Sequence, residues 1–158
     1  MSDTIEDCQY FEDALRNIYF DSEFIDPIEV IVKKVQSSDR EPLSIPFGAY
    51  LATRIIAFFS IDFSNPPIDD INKYPCACWL DSFMVARDCQ GQGYAKTILN
   101  QLPDPLSKFF PDIRQLNLTV NFRNHGARAL YTKCGFENTG DVYWGGPAGP
   151  QHILTKTI

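Results

Sequence analysis

Two kinds of hydrophobic spacing alternate along the second half of the chain. "CACWLDSFMVA" (76–86) is a long, largely apolar run with one acid in its middle, and it reads as a strand. "GYAKTILNQL" (93–102) carries its apolar residues at helical spacing, and Pro103 and Pro105 end that helix or force a break in it. "RQLNLTV" (114–120) alternates with period two, as a strand does. "NHGARALYTKC" (124–134) returns to helical spacing, with Asn124 as N-cap and Gly135 as C-cap. "FENTGDVYW" and "HILTKTI" close the chain as two strands. Strands interleaved with helices predict an α/β protein.

The first half is less regular. "YFEDALRNIYF" (10–20) has helical spacing, and "DPIEVIVKKVQ" (26–36) opens on Asp-Pro, which predicts a helix with proline in its first turn. "IPFGAYL" and "RIIAFFSIDF" read as strands around a turn near Ala52-Thr53-Arg54, a hairpin. "NPPIDDINKYP" (65–75), with its prolines and charges, is a loop. There is no repeat and no linker, so residues 1–158 are expected to form a single domain.

Composition narrows the function classes. A hydrophobic content of 44% with 22% charged residues is that of an ordinary globular protein. A net charge of -6 argues against nucleic acid or an anionic membrane as partner, and mildly favours a cationic small molecule if it is more than an aid to solubility. Residues 1–20 are studded with acids and do not resemble a signal peptide, and runs such as "IIAFF" are too short to span a bilayer. A cytoplasmic protein is expected. Cys8, Cys76, Cys78, Cys89 and Cys134 show no metal-ligand spacing, and His125 and His152 are the only histidines. The cysteines read as reduced and mostly buried, with no metal expected.

The chemistry concentrates in "DSFMVARDCQGQGYAKTILNQL" (81–102), where an apolar strand passes through Gly91-x-Gly93 into a helix. Backbone amides at such a junction form an anion site. A dinucleotide fingerprint fails because Lys96 stands where a third glycine is needed, and a Walker loop fails because Ala95 precedes Lys96-Thr97. What remains is Gln90-x-x-Gly93-x-Ala95, which resembles the Q/R-x-x-G-x-G/A signature of the GNAT N-acetyltransferase superfamily. Downstream, Asn124, Ala127, Leu130, Tyr131, Lys133, Gly135 and Phe136 match the N-x-x-A-x-x-L-Y-x-K-x-G-F pattern of the same superfamily. The resemblance covers 76–140 well and 45–75 as a preceding hairpin. Within the superfamily the chain looks most like bacterial polyamine and diamine acetyltransferases.

The resemblance implies a GNAT-like α/β fold, a mixed sheet splayed at its middle strands with helices on both faces. It implies acetyl-CoA as co-substrate, with the diphosphate cradled by Gln90, Gly91, Gln92, Gly93, Tyr94, Ala95 and Lys96. Lys96 is either an added phosphate charge or a solvated helix residue. The pantetheine arm would pair like an extra strand with Phe83, Met84 and Val85. Tyr131 would protonate the departing thiolate. Asn124 would hydrogen-bond the pantetheine or cap its helix, since one side chain does not easily do both. Asp81 leads as general base, because period-two alternation puts this single strand acid on the face of Phe83 and Val85; His152 and Glu23 are alternatives. The expected reaction is direct attack by a small-molecule primary amine, a polyamine among the candidates, through a tetrahedral intermediate. Protein, peptide or aminoglycoside amines, and a non-catalytic CoA sensor, stay open, and relatives that dimerise leave a homodimer open. The Gly- and Pro-rich stretch 143–153 is expected to shape the acceptor side.

Overall fold

Right-handed crossovers decide where the helices lie. The structure, a computed structural model, describes residues 44–63 and 73–158. β1 (Ser44–Leu51) and β2 (Arg54–Asp62) form the antiparallel hairpin that the sequence predicts. β3 (Ala77–Val85) leads through a 3-10 turn (Arg87–Cys89) into α1 (Tyr94–Gln101) and α2 (Pro103–Phe109). β4 (Gln115–Asn121), α3 (His125–Lys133), β5 (Glu137–Tyr143) and β6 (Gln151–Thr157) complete the described order. The six described strands make one mixed sheet in the order β1-β2-β3-β4-β6-β5.

β3 runs parallel to β4, while β6 is antiparallel to both β4 and β5. The connections β3-α1-α2-β4 and β4-α3-β5 therefore move across the sheet in the same direction. Being right-handed, they deliver all three described helices to one face. That helix face is cemented by Phe59, Ile61, Leu80, Leu116, Leu118, Val120 and Leu154 of the sheet against Leu99, Leu102 and Leu106 of the α1–α2 unit and Tyr131 of α3. Burying each large apolar side chain contributes about 1.5–3 kcal/mol. The opposite face is buried as well, with Phe58, Asn117 and Ile153 nearly inaccessible.

Pro103 does more than break the first helix. Leu102 keeps right-handed helical angles while Pro103 takes the first position of α2, where a missing N–H costs nothing, so a second short helix follows. Asn124 caps α3, with its side chain accepting a hydrogen bond from Ala127 N at 3.1 Å. Of the cysteines, Cys78, Cys89 and Cys134 are buried free thiols and Cys76 is an exposed one. Cys8, Glu23 and the helices expected over 10–20 and 26–36 lie outside the described residues, as does most of the loop at 65–75.

Candidate active site

β3 and β4 part company halfway up the sheet. Their parallel register runs from Ala77↔Gln115 to Leu80↔Leu118 and stops. Above that point β3 continues beside β2, through Met84↔Phe58 and Val85↔Ala57, while β4 continues beside β6 to Asn121↔Gln151. A wedge opens between Asp81–Val85 and Thr119–Asn121. Its β3 edge has main-chain groups that no neighbouring strand takes up, and an extended amide chain can pair with such an edge.

A bulge sits on that edge. Between Ser60↔Asp81 and Phe58↔Met84, β2 has one residue where β3 has two, Ser82 and Phe83. Ser82 absorbs the extra residue at φ +55°, a left-handed angle that is uncommon for any residue but glycine. The bulge corrects the expected position of Asp81. Simple alternation would place it with Phe83 and Val85. The register places it with Met84 on the face opposite the helices, since both pair with even-numbered residues of β2. Phe83 turns to the helix face, its ring 5.8 Å from that of Phe59. Asp81 is thus the first residue past the last β3–β4 pair, at the wedge apex, on the side away from α1 and α3.

The glycine loop closes the upper end of β3. Gly91 (φ +74°) and Gly93 (φ +86°) both adopt left-handed angles, and Gly93 is the N-cap of α1. The first hydrogen bond onto this cap is Thr97 N to Gly93 O at 3.0 Å, so the amides of Gly93, Tyr94, Ala95 and Lys96 point off the helix end. No acid stands in the first turn. Open amides and the positive end of the helix dipole together suit an anion. Gln90 braces it, donating from Nε2 to Val85 O at 3.1 Å, and Gln92 Nε2 donates to Asp88 O at 2.9 Å. Arg54 at the start of β2 grips Asp88 through two bonds of 2.7 and 2.8 Å, tying the hairpin to the loop and holding the Asp88 carboxyl below its ordinary range. Lys96 is exposed, and its charge acts on the Cys134 thiol, which puts the ammonium on the side of α1 that faces α3.

From the other flank, α3 supplies Tyr131. Its ring lies in the helix-face core, edge-on to Phe136 with centroids 5.7 Å apart. Burial raises its pKa above the usual phenol value, so the hydroxyl stays protonated and can act as a hydrogen donor through the neutral range. Asn124 is the cap itself, its Oδ1 accepting from Ala127 N, which leaves the amide nitrogen and the second lone pair of the oxygen for any other partner. His152 does not line the wedge. It stands on β6, beyond β4, stacked on Phe122 at 4.0 Å, with its pKa lowered by burial and by Arg128.

The start of α1, with its open amides, thus stands beside a split parallel strand pair. The acetyltransferase (GNAT) family model matches residues 8–136. The chain belongs to the GNAT acetyltransferase family. The uncharacterized N-acetyltransferase YbbJ of Bacillus subtilis (strain 168) is 33% identical over 133 residues, spanning 81% of this chain and 77% of that protein. Among solved structures, AAC(6')-Ib bound to paromomycin and acetyl-CoA superposes with a TM-score of 0.73 at 18% identity, over 96% of this chain and 88% of that one. A variant of the spermidine N-acetyltransferase SpeG from Vibrio cholerae gives 0.64 at 18% identity, over 96% and 90%. As a GNAT enzyme the protein is an acetyl-CoA-dependent N-acetyltransferase, and its mixed sheet with helices is the GNAT fold.

Three features of this GNAT site were not legible in the residues. The bulge at Ser82 has no glycine to signal it. The Arg54–Asp88 tie joins residues 34 apart in the chain. Asn121, nearly fully buried, is turned to the face opposite the helices and donates from Nδ2 to Ala148 O at 3.0 Å, fastening the β5–β6 connection to the end of β4. Among the described residues no helix is long and apolar enough to cross a membrane.

Proposed function

We propose that this enzyme moves the acetyl group of acetyl-CoA onto a primary amine of a small polycation of the polyamine type, by direct attack. The wedge carries the reading: Asp81 stands at its apex on one face of the sheet, and Tyr131 packs against the other. The diphosphate binds the amides of Gly93 to Lys96. The pantetheine runs along the free edge of Phe83, Met84 and Val85 and brings the thioester to the apex. The amine enters from the opposite face. Asn124 serves the pantetheine through its amide nitrogen, while its oxygen caps α3.

The acceptor arrives as an ammonium with a pKa near 10, so removing its proton at neutral pH costs about 4 kcal/mol. Asp81 takes that proton, directly or through a water. The nitrogen lone pair forms the C–N bond, and the thioester oxygen becomes an oxyanion held by an amide of the β3 edge. Collapse breaks the C–S bond, and the thiolate takes the Tyr131 phenol proton, which is replaced from solvent. In sum, two protons leave nitrogen, one to the CoA thiol and one to solvent. The acidity of the chain supports a polycationic acceptor, as do structural neighbours named for spermidine and bound to an aminoglycoside.

Thiol release measured against spermidine, spermine, putrescine, aminoglycosides and short peptides tests the acceptor. Saturable turnover is expected with the polyamines, and turnover on peptides alone overturns the assignment. Tyr131→Phe is expected to lower kcat by about 10²–10⁴ with acetyl-CoA affinity within about twofold. An Asp81→Asn enzyme that keeps the full pH-rate profile removes Asp81 as base.

A further inference from the structure

We infer that an internal water site lies just below the wedge, on the sheet face away from the helices, held by Gln115, Asn117 and Thr155 and roofed by Tyr74 and Trp79. Its ligand is water, and its role is to join β4 to β6 next to the point where β3 leaves β4.

The three side chains share a face by register. Leu116 and Leu118 point into the helix-face core, so Gln115 and Asn117 point the other way. Asn117 pairs with Thr155 across the antiparallel β4–β6 ladder and with Trp79 across the parallel β3–β4 ladder. Asn117 and Thr155 thus stand side by side, with Cβ atoms about 4.5–5.5 Å apart. Trp79↔Asn117 is the last pair but one before β3 and β4 separate.

Four polar atoms of this patch are buried without a hydrogen-bond partner among the described residues: Gln115 Oε1, Asn117 Oδ1, Asn117 Nδ2 and Thr155 Oγ1. Asn117 is wholly inaccessible. Both ends of its amide are unpaired, so it needs partners in either orientation of the group. Buried polar groups are nearly always satisfied by protein or by ordered water, and so many on one patch of a sheet call for a shared partner.

Tyr74 closes the patch from outside. Its ring meets Trp79 edge-on with centroids 5.6 Å apart, and its hydroxyl donates to Asp141, which also pairs with Lys73. Trp79 belongs to β3 and Asp141 to β5, and β4 and β6 lie between those strands. The Tyr74 side chain therefore crosses above Asn117 and Thr155.

Water suits this set of groups. The Asn117 Nδ2 donates, the two amide oxygens accept, and the Thr155 hydroxyl does either, which matches a molecule with two protons and two lone pairs. A cation would meet the amide NH2, an anion would meet two carbonyl oxygens, and none of the three side chains carries a charge to balance either. With two to four bonds per water, four atoms accommodate about one or two molecules.

The test uses the full chain without CoA or amine, so its outcome is separate from the acetyl-transfer assignment. Water–protein NOE spectra of the wild type should show slowly exchanging water at the Asn117 side-chain NH2. Thr155→Val keeps the shape and removes the hydroxyl; it should weaken that contact and lower the urea midpoint. Asn117→Leu should lower the midpoint too, because it strands Gln115 and Thr155, and oxygen-17 relaxation dispersion should lose about one or two long-lived waters. The double variant should lose less than the sum of the single losses. A dry patch has the opposite sign: Asn117→Leu then removes an unpaired amide and raises the midpoint, which overturns the site. Absence of slow water at Asn117 in the wild type overturns it whatever the variants do. A midpoint that responds to sodium or potassium specifically identifies an ion and also overturns it. If Asn117→Leu does not fold, the wild-type spectra and Thr155→Val decide the question by themselves.

Discussion

The same substitution should have opposite effects at two glycines of this protein. At Gly93, φ is +86° and a Cβ would find nothing within 4 Å. Gly93→Ala therefore meets no steric obstacle, and its whole cost is conformational. Holding alanine in the left-handed region costs about 1–2 kcal/mol, offset by about 0.4–1 kcal/mol from the stiffer unfolded chain. If the loop keeps its shape, the net loss is on the order of 1 kcal/mol, or roughly 2–4 °C in Tm for a chain of this size. If the loop relaxes, stability returns but an amide leaves the cradle. A hydrogen bond to a charged group is worth about 1.5–3 kcal/mol, so acetyl-CoA affinity then falls about 10- to 100-fold. Gly126, in the first turn of α3, has equal space and no left-handed angle. Gly126→Ala should raise stability by about 0.5–1 kcal/mol. Urea denaturation and calorimetric titration with acetyl-CoA measure both variants. A Gly93→Ala variant that changes neither stability nor affinity contradicts this, as does one that matches or exceeds wild-type stability with acetyl-CoA affinity intact.

Two further outcomes follow from single side chains. Asn124→Ala should lose about 1 kcal/mol of stability through the missing cap, and Asn124→Asp, which keeps an acceptor for Ala127 N, should restore it; any acetyl-CoA affinity that Asp fails to restore reports the amide nitrogen, and equal recovery of both quantities removes that nitrogen from the pantetheine site. Burial pushes the Cys78 thiol up to about 12. The unfolded thiol ionises first, so the stability this group protects is complete below about pH 8.5 and is lost toward pH 12, at up to about 1.4 kcal/mol per unit. Urea midpoints between pH 8 and 10.5 should fall less steeply in Cys78→Ala than in the wild type, and identical slopes contradict the assignment.

Local signals carried much of the fold into view. Period-two alternation in β4, the Asn124 cap with Gly135 beyond the end of α3, and the two glycines before α1 are features that neighbouring residues determine by themselves. The left-handed turn at Gly91 and Gly93 was legible for the same reason. What stayed hidden depends on partners distant in the chain. The wedge is a property of where β4 stops pairing with β3, and the bulge that carries Asp81 to the opposite face is a serine at a left-handed angle, with no compositional mark. A single extra residue reverses every side chain beyond it, so alternation counted through Ser82 gives the wrong face for Asp81. Pro103 misled in a milder way: proline reads as a stop, yet at the first position of a helix it is also a start. The closure of 144–150 over β4 rests on Asn121, whose bond spans 27 residues.

In the proposed complex one molecule of acetyl-CoA grips the amides at the start of α1 and lies as an added strand along the β3 edge. Amide hydrogen exchange with and without acetyl-CoA tests both halves at once. Slowed exchange is expected in Gly93–Lys96 and in Phe83–Val85 together, with Phe58–Ile61 of the already paired β2 unchanged. Protection confined to the helix start, or spread evenly over the whole sheet, would contradict it.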